Sequence, residues 1–368
     1  MKTQSVAIIG GGVVGLAIAH TYAQAGHEVF LFEKSLHFGD GQSGRSSGVA
    51  HPGIYYPTGS LKAILCVRGR QLQEEFCLSH GVPFIKPGKL IVARTHDEVP
   101  ALEFYRERGT ANGVRGLRII TREELKEYEP NIEGVAALHS PQTAIVDAGA
   151  FVQKLAELSE RAGAHLFRGR EIVAIEKRDS QFVLSILNHD NTKDKCSVDR
   201  VFNAAGLYAD EIARMVNPES LYRIIPVRGE YCRYASAKKS ELRIHHAIYG
   251  LPQEIEYEGR KVFSSGMHLL PTIGSDTILV GPTARVVEKK DDYEGNRFGK
   301  DYFLAYAQSF KPTLREEDLE FEYAGIRAEL LGHNDFMIEE DPRNPGFRNL
   351  LGIRSPGLTA ALAIAEYI

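Results

Sequence analysis

The sequence predicts a mixed α/β (α+β) fold. A Rossmann-like domain on a parallel sheet is interrupted by a second domain built on a mixed, mostly antiparallel β-sheet. Three observations predict it. Strand–helix–strand patterns with small-residue turns stand at the start, middle and end of the chain. Strand-rich segments of alternating polarity lie between them. The length of 368 residues suits two domains at about 150 residues each.

In chain order, residues 5–9 are a short apolar run ending in glycines. Residues 13–25 have helical spacing and stop at Gly26, and residues 28–33 (EVFLFE) read as a second buried strand. The polar, glycine-rich stretch 39–59 is long for a connection, and long ordered loops are usually functional. Residues 60–79 read as an amphipathic helix, 89–94 (KLIVAR) as a strand, and 98–112, 122–127 and 150–162 as helices. Strands follow at 164–167, 171–177 and 182–187, with HDNTKDK (189–195) as a hairpin loop. Residues 198–203 form a fresh apolar strand running into Ala204-Ala205-Gly206. From 224 to 330 the pattern is strands (EYCRYA, KVFSSGMHLLPTI, TILVGP) with one helix at 301–308. The tail returns to a strand (NLLGI), a turn (RSPG) and a helix at 358–368. Residues 1–80, 145–223 and 325–368 are thus expected in the first domain, and 81–144 and 224–324 in the second.

Composition excludes several classes. Lys and Arg number 44 against 48 Asp and Glu, a formal net charge of −4, so nucleic acid is not the expected partner. Hydrophobic residues at 43% and charged residues at 25% exclude wholesale disorder. Cys66, Cys77, Cys196 and Cys232 form no C-x-x-C pair, which argues against a disulfide framework or structural zinc; no metal is expected, and a reducing compartment fits. The apolar run 6–19 follows Lys2 as a signal peptide would, but its four glycines and the strand after it suit a phosphate loop better. No apolar run reaches the roughly 20 residues of a membrane span. The expected location is the cytoplasm, with peripheral contact at a membrane surface left open.

Gly10-Gly11-Gly12-Val13-Val14-Gly15 follows a strand and opens a helix. Gly10 permits the tight turn, Gly12 and Val14 lie where a pyrophosphate approaches the backbone, and Gly15 lets the helix pack closely. Glu33, with Lys34 beside it, ends the second strand 18 residues after Gly15, where a carboxylate takes the ribose hydroxyls of an adenosine and repels a 2′-phosphate. The motif alone does not separate NAD from FAD. Two later turns favour FAD: Ala205-Gly206 at the end of a strand, and Pro356-Gly357-Leu358-Thr359 at the start of the last helix. That helix N-terminus suits the flavin edge that gains negative charge on reduction. Arg45, Ser46 and Ser47 are expected at the phosphates, and Val173 completes the expected cofactor set.

The stretches VAIIGGGVVGLAIA…EVFLFEK, VFNAAGLYAD, PVRGEY, AGIRAE and SPGLTAA resemble FAD-dependent oxidoreductases of the D-amino-acid oxidase and glycine oxidase type. Within that superfamily the chain looks most like the L-2-hydroxyglutarate dehydrogenase (oxidase) family, on SGVAHPGIYYPTGSLKAILCVRG, GKLIVA and IVDAGAF. One departure is Ala328 after GIR, where amino-acid oxidases usually have proline. The resemblance implies FAD held across the Rossmann-like domain beneath the second domain's sheet. It also implies oxidation of a 2-hydroxy diacid to the 2-oxo acid by hydride transfer to flavin N5, with a quinone or oxygen as electron acceptor.

Such chemistry needs a base for the hydroxyl proton and donors for the carboxylate. His51, in the loop after Ser43–Ser47, is the first choice for base because a histidine titrates near neutrality; His268 is the second. Arg327 is expected on the substrate carboxylate through two parallel hydrogen bonds. Tyr249, Tyr55 and Tyr56 are candidate hydroxyl donors. Two other readings remain: an amine or amino-acid oxidase of the same fold, and a flavin redox sensor or carrier with no small substrate.

Overall fold

The computed structural model describes residues 3–235, 243–257, 260–264 and 266–368. A six-stranded sheet runs, from edge to edge, through Met337–Glu340, Phe347–Leu351, Arg200–Asn203, Ser5–Ile9, Glu28–Glu33 and His165–Arg168. All neighbours are parallel except the first pair. Parallel pairing sets the carboxyl ends of these strands side by side: Ile9 leads into Gly10, Asn203 into Ala204-Ala205-Gly206, and Glu33 closes its own strand. Ligands of such sheets bind along that edge.

The helix Val13–Gln24 packs between the sheet and two others, Ala148–Arg161 and Gly357–Tyr367. Its inner face is built of Leu16, Ala17 and Ile18, fully buried. Such small spacing is set at the turn before it. Gly10 sits at φ +110°, and a Cβ added to Gly15 would lie 2.0 Å from the Gly10 carbonyl oxygen. Gly15→Ala is therefore expected to force the turn open at a cost of about 1–3 kcal/mol. The check is a urea melt together with the ratio of visible flavin to protein absorbance after purification.

The second sheet has nine strands. Arg285–Val286, Ile224–Ala235, Thr277–Gly281, His268–Pro271, Ala247–Tyr249, Lys89–Ala93, Ala136–Ser140 and Arg118–Thr121 follow one another, and Leu319–Leu330 pairs with Ile224–Ala235. Only Ala247–Tyr249 against Lys89–Ala93 is parallel among these pairs. That one pairing joins the two sequence blocks expected in the second domain into one sheet.

Three sequence expectations move. Strand Leu319–Leu330 belongs wholly to the nine-stranded sheet, and the boundary expected at 325 falls inside it. The charged run at 193–195 is no loop: Lys193–Val198 is a strand, paired antiparallel with Gln181–Asn188, whose buried side is closed by Val198. The strand and domain expected across residues 224–324 include 236–242, 258–259 and 265, which lie outside the described residues. Among the described residues, no helix is long and apolar enough to cross a membrane.

Candidate active site

The carboxyl edge of the parallel sheet and one face of the nine-stranded sheet enclose a cavity of about 710 Å³, within the range of small-molecule sites. Gly10, Gly12, Val14, Glu33, Lys34, Arg45, Ser46, Ser47, Ala205, Gly206, Pro356, Gly357, Leu358 and Thr359 all line it. Glu33 is held by two backbone amides: Gly11 N–H donates to Oε2 at 2.7 Å and Ser35 N–H to Oε1 at 2.8 Å. The Val13 amide, at the helix N-terminus, donates to Ser43 Oγ at 3.0 Å, so that terminus already gathers oxygen, as a phosphate site does. Lys34 Nζ lies 3.1 Å from the ring centroid of Tyr208, and the Arg45 guanidinium lies 4.1 Å from that of Tyr293.

Three expected residues, Gly15, Val173 and Tyr249, are not on the cavity wall; Gly15 packs against the Gly10 carbonyl instead. Val173 is 40% exposed; it is the extra residue where the register with Gln181–Asn188 shifts between Ile172 and Ala174. A bulge of that kind turns one side chain out, and Ile172 is the apolar residue of the strand that reaches the cavity. Tyr249 is fully buried one layer behind the wall. Its ring stacks on His268, with centroids 4.4 Å apart and planes at 23°.

The other candidates also stand on the wall of this cavity. His51, Tyr55, Tyr56, His268 and Arg327 all line it. The first turn of the last helix fixes the His51 loop: the His51 amide donates to Thr359 Oγ1 at 3.0 Å, and that hydroxyl lies 3.3 Å from the Val49 carbonyl. His51 Nε2 lies 3.2 Å from Ser355 Oγ, while Nδ1 is buried with no partner among the described residues. Burial, then Lys89, then His268 push the His51 pKa well below its usual value. Burial first, and then Lys89, pushes His268 down to about 3. Both rings are neutral in the resting site.

Arg327 projects from Leu319–Leu330, two residues from Gly325 and from Glu329, so all three share one face of the strand. Its Nη2 donates to the Thr283 carbonyl at 3.2 Å, and it makes no ion pair among the described residues. Burial lowers its pKa from the usual arginine value, as an uncompensated cation requires. By contrast, the neighbouring Arg354 is neutralised by Glu329.

Sequence reasoning missed the segment around Lys290, Asp291 and Tyr293, which lines the cavity from the second domain. Lys290 Nζ bonds Asp210 at 2.7 Å and Glu211 at 2.6 Å, tying the segment to helix Ala209–Val216. The signal was present in PVRGEY. Arg228, fully buried, donates to Glu230 at 2.9 Å, to the Asp292 carboxylate at 3.0 Å and to the Asn296 carbonyl at 3.1 Å. Arg228→Met would strand the buried Glu230 carboxylate, and breaking such a pair costs about 3–5 kcal/mol. A urea melt is expected to show a loss of that size.

Residues 5–368 match the family described as FAD dependent oxidoreductase (DAO). This chain belongs to that family. The assignment fits the residues present: an elongated cavity with a held carboxylate at one end, a glycine turn and helix N-terminus along it, and a second helix N-terminus beside the reactive groups. FAD is its cofactor. Among relatives, L-2-hydroxyglutarate dehydrogenase of Indibacter alkaliphilus is 32% identical over 400 residues, covering 98% of this chain and 96% of that protein. Glycerol 3-phosphate dehydrogenase of Caloramator mitchellensis is 33% identical over 365 residues, covering 99% and 72%. The solved structure of dithionite-reduced L-α-glycerophosphate oxidase from Mycoplasma pneumoniae with FAD bound superposes with a TM-score of 0.87 at 27% identity, covering 100% of this chain and 94% of that one. This FAD-dependent oxidoreductase therefore has relatives on two kinds of hydroxyl substrate, and the substrate is argued from its own site.

Proposed function

We propose that this FAD-dependent oxidoreductase oxidises an L-2-hydroxy acid, L-2-hydroxyglutarate, to the 2-oxo acid. The observation that carries the reading is Arg327, a guanidinium on the cavity wall with no carboxylate of its own, in the same cavity as a neutral histidine whose Nδ1 is unpaired. A planar guanidinium takes a carboxylate through two parallel hydrogen bonds. That contact fixes the carbon bearing the hydroxyl. His51 Nε2, 3.2 Å from the cavity-lining Ser355 Oγ, accepts the hydroxyl proton in the tautomer that carries its own proton on the buried Nδ1, and the carboxylate nearby raises its proton affinity from the depressed resting value. Bound FAD supplies the two-electron acceptor for the hydride that leaves C2. Tyr56, which hydrogen-bonds Ser355, keeps that hydroxyl in place. The full-length similarity to L-2-hydroxyglutarate dehydrogenases supports the diacid.

The test is kcat/KM with a dye as electron acceptor for L-2-hydroxyglutarate, D-2-hydroxyglutarate, L-glycerol 3-phosphate and glycine. The L-hydroxy acid is expected to lead by about a hundredfold or more, the discrimination a site-specific polar contact gives. A lead for glycerol 3-phosphate would transfer the anion site to phosphate, and a lead for glycine would move the enzyme to the amine oxidases.

A further inference from the structure

Lys89 is fully buried and makes no ion pair among the described residues. An ammonium group withdrawn from water costs several kcal/mol unless compensated. Here the compensation is slight. Lys89 Nζ lies 4.4 Å from the ring centroid of Tyr55 and 4.5 Å from that of Tyr249, with Tyr55 Oη at 3.4 Å.

Sheet register places it there. Lys89 pairs with Ala247 and Tyr249 stands two residues on, so the two project from the same face. Tyr249 in turn sits directly opposite His268, on whose ring it stacks. The cation thus stands one ring behind His268. An apolar chain of the same length would fill this space without the desolvation cost.

We propose that Lys89 is a positioning residue of the active site, whose buried ammonium, set behind His268 by the Tyr249 ring, favours His51 as a base toward the substrate. This rests on the reading of His51 given above. The groups facing the pair bear it out. His51 meets His268 from the nine-stranded sheet and Ser355 from the turn before the last helix. From helix Leu61–His80 it meets Cys66, whose Sγ donates to the His51 carbonyl at 3.1 Å. Tyr56 lies beside Ser355, Arg327 acts on His268 from the strand Leu319–Leu330, and Lys89 meets Tyr55, Tyr249 and Cys66. None of these is a carboxylate, so among the described residues no ion pair cancels the cation. Burial pushes the Lys89 pKa down to about 7. In the more acid range, where a free histidine would take up its proton, Lys89 is therefore charged.

The test uses the FAD-loaded enzyme with 13C-labelled histidine, the His51 and His268 signals being assigned with His51→Gln and His268→Gln. It needs no substrate, so its outcome is separate from the identity of the hydroxy acid. In Lys89→Met the His51 signal is expected to titrate at least about one pH unit higher than in the parent, the effect of a unit charge within about 10 Å at an effective dielectric near 20. Lys89→Arg, which keeps the charge, should hold the parent value. With L-2-hydroxyglutarate the acid limb of kcat/KM is expected to move with the signal. An unchanged His51 titration in Lys89→Met, or in Lys89→Gln should the methionine variant not fold, would overturn the proposal. An equal rise in Lys89→Arg would do so too, because it would assign the shift to packing.

Discussion

Arg327→Ala is expected to lower kcat/KM for the hydroxy acid by two to three orders of magnitude. Removing one partner of a buried, hydrogen-bonded charge pair costs about 2–5 kcal/mol, and each 1.4 kcal/mol is a factor of ten. Among the described residues Arg327 bonds only the Thr283 carbonyl, at 3.2 Å, so little else in the described fold depends on it. The variant should therefore keep its fold and its flavin while KM rises steeply. Steady-state kinetics with a thermal melt alongside check both halves. Arg327→Lys is expected to recover only part of the loss, because an ammonium makes point contacts where the guanidinium makes two parallel ones. Loss of fold in Arg327→Ala would instead mark the residue as structural.

His51→Ala is expected to slow flavin reduction by substrate at least a hundredfold, the usual contribution of a positioned base, while the purified protein stays yellow. The pH dependence follows from the sign of the shift. A base acts when unprotonated. Because burial and Lys89 hold the His51 pKa well below 6.5, its activity is complete above that value and falls only as the pH drops through the lowered one. The parent enzyme should thus show an acid limb in kcat/KM below pH 6.5, and His51→Ala should lose that limb with the rate. His268 is pushed down to about 3 and stacks on Tyr249. Its replacement by Ala should leave the limb in place. Stopped-flow reduction across pH 5 to 8 separates the two histidines.

Much of the cofactor half of the site was legible in the sequence because its requirements are local. Gly10, Gly12, Gly15 and Glu33 are set by one turn and the strand beside it, and their spacing alone places them. His51 was legible for a related reason: it lies in an ordered glycine-rich loop next to the phosphate-binding serines. Features that depend on register across distant strands were not. Lys89 reads as an ordinary strand lysine in KLIVAR, and only its parallel pairing with Ala247 sets it behind His268. Tyr249 shares its face with His268, whose ring stacks over it and takes it off the cavity wall, and Val173 is turned outward by a bulge no local pattern announces. AGIRAE carries a cofactor-domain resemblance while its backbone pairs with Ile224–Ala235, a pairing no local spacing shows. Arg228 and Glu230 illustrate the reverse case: the motif PVRGEY was visible, but its role in holding a segment some 60 residues later appears only in the folded chain.

The most direct test of the account is an anaerobic titration of the purified, yellow protein with L-2-hydroxyglutarate, following the visible flavin bands. Bleaching by the L form, absent with the D form and strongly slowed in His51→Ala, is the predicted result. It would join cofactor, reaction, stereochemistry and base in one observation. A flavin that stays oxidised in the presence of the L form would contradict the assignment of this cavity to a 2-hydroxy acid.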